Sequence, residues 1–154
     1  MELAFQIEPA TWRDIGALRH LEQVCFPLDA WPLFDLIGVL TLPNVIRLKA
    51  VVEGEMAGFI ALDQPRSDHV AWIATVGVLP QYRRRGIAQA LITACEQKRD
   101  GVEIRLSVRL SNQDAIRLYE RLGYRQVTIW KAYYEGGEDA LVMGKRSQGS
   151  LNPL

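Results

Sequence analysis

Three consecutive arginines, Arg83, Arg84 and Arg85, stand directly before Gly86-Ile87-Ala88-Gln89 in a chain of 154 residues. Val76-Gly77-Val78 ahead of them closes an apolar run of strand length, and Pro80 supplies a turn. From Ile87 the apolar residues recur at helical spacing through Leu91, Ile92 and Cys95. A strand that turns into a helix start offers an anion site. The first N–H groups of a helix have no acceptor within it, the helix dipole adds positive potential, and glycine lets a phosphate approach closely. The arginines add charge, although a basic run alone is usually just solvated surface.

The elements that must position this loop follow from hydrophobic period. Phe5 to Glu8 predicts a first strand, and Thr11 with Asp14 has capping-box spacing for a helix carrying Ile15, Leu18, Leu21 and Cys25 on one face. That helix stops near Phe26-Pro27. A second is expected from about Asp29 through Phe34, Leu36 and Ile37, ending before Pro43. Val45 to Val52 and Met56 to Leu62 predict a hairpin around Glu53-Gly54, and Val70 to Val78 a further strand. The helix from Gly86 is expected to end before Gly101.

Val102, Ile104, Leu106 and Val108 then alternate with Glu103, Arg105, Ser107 and Arg109, a strand with one apolar and one polar face. Ser111 with Asp114 has the spacing of a second capping box, opening a helix through Tyr119 to Gly123. Tyr124 to Tyr134 and Ala140 to Met143 predict two last strands around Glu135-Gly136-Gly137, and the tail 147–154 is expected to fray. The reading is one α+β domain over 1–146 with a mixed, mostly antiparallel sheet of about seven strands and about four helices.

Lysine plus arginine and aspartate plus glutamate balance at 18 each, so overall charge gives no argument for nucleic acid. No run is long and apolar enough to span a bilayer and none reads as a leader, so the expected setting is cytoplasmic, away from any membrane. Cys25 and Cys95 lack metal-ligand spacing and read as free core thiols; no metal is expected.

Two motifs resemble a known family. Arg83-x-x-Gly86-x-Ala88, preceded by Val78-x-Pro80-x-Tyr82-Arg83, resembles the acetyl-CoA pyrophosphate loop of the GNAT (GCN5-related N-acetyltransferase) superfamily. Ser111-Asn112-Gln113-Asp114-Ala115 through Leu118-Tyr119 to Gly123-Tyr124 resembles its second signature. Cys25-Phe26-Pro27 and Lys131-Ala132-Tyr133-Tyr134 are similar to the branch that acetylates the N-terminal alanine of ribosomal proteins.

The resemblance implies a GNAT fold, acetyl-CoA as co-substrate, and an amine acceptor attacking the thioester directly. Val76, Gly77 and Val78 would pair with the pantetheine arm, and Arg83, Arg84, Arg85, Gly86, Ile87, Ala88 and Gln89 would surround the pyrophosphate. Asn112 would hydrogen-bond the arm, Tyr119 would lie near the sulfur as general acid, and Tyr133 and Tyr134 would close over a peptide N-terminus.

One departure stands out. The alanine-acetylating relatives carry a glutamate general base where this chain has Ser107. Glu103 shares that strand face but lies roughly 13 Å away; Asp68 and His69 are further candidates. The expectation is a water held by Ser107 that relays the proton, which suits an α-amine acceptor on a protein or peptide. A small-molecule amine, or an acetyl-CoA-binding module with little turnover, are the alternatives, in a monomer or homodimer.

Overall fold

A computed structural model of the chain describes residues 4–64, 69–99 and 102–146. The tail 147–154, Asp68 and Gly101 lie outside the described residues. Thr11 forms the expected capping box: its N–H donates to Asp14 Oδ2 at 2.8 Å, and its hydroxyl accepts from the N–H of Arg13 at 3.3 Å. The box caps a short 3-10 turn, Trp12–Asp14, which runs on into helix α1, Ile15–Cys25.

Helix α2 spans Leu33–Thr41 and begins four residues later than expected from Asp29. Pro32 explains the shift. It disfavours helical geometry at Trp31, and its own carbonyl accepts the first helical N–H groups, from Asp35 and Leu36. Asp29 is thereby left in a loop, free to be used elsewhere.

Strands β1 (Gln6–Pro9), β2 (Val45–Val52), β3 (Glu55–Asp63) and β4 (Val70–Val78) form an antiparallel meander. The β2–β3 turn takes positive φ at both Glu53 (49°) and Gly54 (82°), the hairpin geometry whose twist matches the strands. Helix α3 (Ile87–Gln97) leads to β5 (Glu103–Arg109), and α4 (Gln113–Arg121) to β6 (Arg125–Trp130) and β7 (Ala140–Arg146). The sheet has seven strands in the order β1-β2-β3-β4-β5-β7-β6, antiparallel except for β4 beside β5.

Alternation along β3 builds a core on each face. Phe59 and Ala61 point to Leu18, Leu21, Leu36 and Leu40 of α1 and α2. Ile60 and Leu62 point to the side of Ile87, Leu91 and Ile92 of α3, where Ile116 and Tyr119 of α4 extend the cluster.

Two boundaries differ from the sequence reading. The N-cap of α4 is Asn112, whose Oδ1 accepts from the N–H of Ala115 at 3.3 Å, while the N–H of Ser111 donates to Glu138. Asparagine is at least as good a cap as serine, and Glu138 holds Ser111 one residue outside the helix. Strand β6 stops at Trp130 instead of reaching Tyr134, because Ala132 adopts φ 51°. Asp139 holds that turn, accepting from the N–H of Ala132 at 2.8 Å and from Lys131 Nζ at 3.3 Å. Tyr133 and Tyr134 therefore stand on a loop.

Candidate active site

The parallel strands β4 and β5 pair only where Val70–Trp72 meets Glu103–Arg105. Beyond that point β4 stays with β3 as far as Val78, and β5 stays with β7 as far as Arg109. The sheet therefore splits along its middle, and backbone N–H and C=O groups on the facing edges lose their ladder partners. A bulge at Ala74, extra between Ile73 and Thr75 opposite β3, adds local twist at the point of separation.

A cavity of about 270 Å³ fills the split. Its lips are Ile73–Val76 and Leu106–Arg109, with Glu22 from α1, Asn112 and Tyr119 from α4, and Tyr134 from the loop after β6. Val76, Ser107, Asn112, Tyr119, Tyr133 and Tyr134, all singled out from sequence, thus line one space.

Gly77 sets how closely α1 approaches this space. A Cβ there would stand 3.2 Å from Leu21, 3.3 Å from Cys25 and 3.3 Å from Phe26. Without it α1 lies directly on β4, and Thr75, two residues earlier on the same face, meets Glu22. The Thr75 hydroxyl donates to Glu22 Oε1 at 2.8 Å. Burial raises the Glu22 carboxyl above its ordinary range, partly offset by that hydrogen bond.

Arg109 ties three segments together. Its guanidinium donates twice to Asp29 at 2.8 Å, once to Glu138 at 3.0 Å, and stacks 4.6 Å from the Tyr134 ring. Hydrogen bonds from Ser111 and Arg109 hold the Glu138 carboxyl below its ordinary range, and both carboxylates hold Arg109 firmly charged. The Tyr134 hydroxyl in turn donates to Ser107 Oγ at 3.2 Å. Tyr134 leads an aromatic row through Tyr133 and Trp130 to Trp72, with ring centroids 5.0, 5.0 and 5.5 Å apart.

Tyr119, also in the cavity lining, is buried, its ring edge-on to Tyr124 at 6.1 Å. Burial, and to a smaller degree Tyr134, push its phenol up to about 12, so it remains protonated throughout neutral pH.

The arginine loop leaves the end of β4 through a 3-10 turn, Pro80–Tyr82. Gly86 caps α3 at φ 80°, and Arg84 is also left-handed at φ 64°. A Cβ on Gly86 would meet no heavy atom within 4 Å, so the helix start faces an open cradle. Arg84 and Arg85 are exposed beside it. The Arg83 side chain instead turns back: its Nε donates to the carbonyl of Val78 at 2.9 Å.

A GNAT acetyltransferase family model matches residues 15–124, which include both lips of the split, the glycine loop and Tyr119. The chain belongs to the GNAT acetyltransferase family. A [ribosomal protein bS18]-alanine N-acetyltransferase of Escherichia coli is 40% identical over 138 residues, 84% of this chain and 89% of that protein. An N-alpha-acetyltransferase of Sulfurisphaera tokodaii is 31% identical over 153 residues, 90% of this chain and 91% of the relative. The crystal structure of the ribosomal-protein-S18-alanine N-acetyltransferase from Escherichia coli superposes with a TM-score of 0.86 at 27% identity, covering 98% of this chain and 99% of that one.

Two of the alternative bases named from sequence, Glu103 and His69, stand apart from the site. Glu103 is tied to Arg105 at 2.9 Å at the paired end of β5. His69 precedes β4, six residues before Thr75, roughly 20 Å along the strand. The thiols are unsuited to nucleophilic attack. Cys95 is buried on α3 and pushed up to about 12 by burial, and burial also raises Cys25, which donates to Val78 O at 3.4 Å.

Sequence reasoning missed Glu22, Thr75, Asp29 and Glu138. The signal for Glu22 was available: it lies four residues after Leu18 and seven after Ile15, a carboxylate on the apolar stripe. The Asp29–Arg109–Glu138 cluster had none, since it joins residues 80 and 29 positions apart.

Proposed function

We propose that the protein transfers an acetyl group from acetyl-CoA to the N-terminal α-amine of a protein or peptide, in a ternary complex within the β4–β5 split. The observation that carries this reading is the split itself, where an unpaired β4 edge borders an aromatic-rimmed cavity and runs on into the loop that leads to Gly86. The alanine and N-alpha specificity in the relatives' names supports the choice of acceptor.

The residues fit acetyl-CoA, which supplies the activated acetyl thioester. Val76, Gly77 and Val78 offer backbone groups for an extended arm, and Arg84 to Gln89 offer a helix start and positive charge for the pyrophosphate. Asn112 uses its oxygen as a helix cap, which leaves its amide N–H₂ for a ligand. Backbone N–H groups of the open β4 edge stabilise negative charge developing on the acyl oxygen. Tyr119 donates to the departing sulfur. Ser107, held by Tyr134, orients water beside the amine, and Tyr133 and Tyr134 close over the peptide end.

An α-amine has a pKa near ~8 and lysine near ~10.4, so making lysine neutral at pH 7.5 requires about 3 kcal/mol more. A site without a carboxylate at position 107 therefore suits the α-amine. Asp29 and Glu138, both satisfied by Arg109, leave little free negative charge for a polyamine. In a thiol-release assay, peptides starting with alanine, serine or methionine are expected to turn over at least ~10²-fold faster than an N-terminally blocked lysine peptide or a polyamine. Comparable rates would contradict the assignment.

Arg109→Met tests the acceptor side. It keeps the aliphatic stem but removes the ion pairs to Asp29 and Glu138, and because water resolvates these partly exposed carboxylates the Tm is expected to fall only slightly. The KM for peptide is expected to rise about tenfold with acetyl-CoA affinity nearly unchanged, measured by steady-state kinetics and calorimetry.

A further inference from the structure

The α-amine reading leaves one proton without a destination. Ser107 can orient water but cannot hold the proton, because a hydroxyl is no base at neutral pH. Burial raises the phenols of Tyr119 and Tyr134 as well, which makes both of them donors. Asp29 accepts two hydrogen bonds from Arg109, and Glu138 is held by Arg109 and Ser111.

Glu22 is different. It is 1% exposed and lines the cavity, yet only one of its oxygens has a partner. Oε1 accepts from Thr75 at 2.8 Å, while Oε2 is buried with no hydrogen-bond partner among the described residues. A buried, half-satisfied carboxylate is costly, and such groups concentrate where chemistry needs them.

We infer that Glu22 is the proton acceptor of this site, drawing the amine's proton through a water lodged between its free oxygen and the split. This rests on the acetyl-transfer reading above. The neutral amine's lone pair forms the C–N bond to the acyl carbon, and the C–S electron pair leaves on sulfur. The N–H proton passes by water to Glu22 Oε2, while the departing sulfur is stabilised by a hydrogen bond from Tyr119, which keeps its proton. Solvent then removes the proton from Glu22 and protonates the thiolate, so one proton moves overall from amine to thiol. Thr75 acts as a positioning residue, its hydrogen bond to Oε1 fixing the carboxylate and leaving Oε2 unpartnered.

The elevated carboxyl of Glu22 brings it closer to the pH at which a general base works best. The groups around it are Cys25 one turn on in α1, Arg83 beyond that thiol, Thr75 on β4, and Asp29, Arg109, Tyr119 and Tyr134 about the cavity. Among the described residues Glu22 is the cavity's one carboxylate without an arginine partner.

Glu22→Gln preserves shape and the bond from Thr75. The expected result is a fall in kcat of at least ~10²-fold on an alanine-starting peptide, loss of the acidic limb of the pH–rate profile, and unchanged acetyl-CoA affinity by calorimetry. Stability supplies a second readout. The folded-state carboxyl lies above its ordinary 4.5, so its stabilising contribution is present below 4.5 and lost as pH rises through the folded value. Glu22→Gln is therefore expected to melt at the same temperature as the parent or higher at pH 7.5, the gain vanishing below pH 4.5.

A kcat within twofold of the parent across pH 5.5 to 9 would overturn the assignment. So would a fall in kcat accompanied by a lower Tm and weaker acetyl-CoA binding, which marks a structural carboxylate. The parent enzyme is assayed first: if it acetylates only other amines, the α-amine reading fails while Glu22 is tested on those. If it acetylates none, both fall.

Discussion

Replacing Tyr119 with phenylalanine is expected to lower kcat by about 10²-fold or more while acetyl-CoA affinity stays within about threefold. The ring remains, so the edge contact with Tyr124 and the packing of α4 survive. Only the hydroxyl is lost, from a residue that lines the cavity together with Ser107 and Tyr134. A positioned acid contributes about 10²–10⁴-fold to such a reaction. Because burial holds the phenol up to about 12, full proton transfer to a free thiolate near ~8.5 would be uphill by roughly 5 kcal/mol. Tyr119 therefore acts as a hydrogen-bond donor that shares its proton as the C–S bond breaks, an interaction made only in the transition state. A Tyr119→Phe enzyme with intact kcat but weakened acetyl-CoA binding would assign the hydroxyl to ground-state binding instead.

Gly86→Val is expected to give the opposite pattern, a loss of about 30- to 150-fold in acetyl-CoA affinity with kcat at saturation largely retained. Gly86 stands at φ 80°, which a β-branched residue adopts only with strain of about 1–3 kcal/mol. Its new side chain would project into space now free of protein atoms, where the pyrophosphate is assigned. About 2–3 kcal/mol of lost binding corresponds to that range. Gly86→Asn provides the contrast, since asparagine tolerates left-handed geometry, and it is expected to lose less. Unchanged affinity in Gly86→Val, read by calorimetry, would place the phosphates elsewhere.

The parts of this molecule legible in its sequence are those set by local period and local turn chemistry. Leu18 and Leu21, Ile87 and Leu91, and the alternation from Val102 to Arg109 each declare an element and its buried face, and Gly86 declares the loop. What the sequence concealed depends on segments meeting across the fold. Pairing of β4 with β5 ends after Trp72 because each strand keeps a better antiparallel partner, and no residue near Trp72 announces this. Local pattern makes Asp29 a helix start, but Pro32 delays that helix and Arg109 claims the carboxylate. Tyr134 was read as a strand residue, yet the Ala132 turn sends its hydroxyl to Ser107. Glu22 is hidden in the sequence because Leu18 and Leu21 define the apolar stripe of α1 on which it sits.

Transfer of the acetyl group to an α-amine can be read from tandem mass spectrometry of the product formed from a peptide that carries a free N-terminal alanine and an internal lysine at pH 7.5. The expected result is a single acetyl group carried by the N-terminal fragment ions alone. An acetyl group on the lysine side chain, or divided between the two amines, would contradict it.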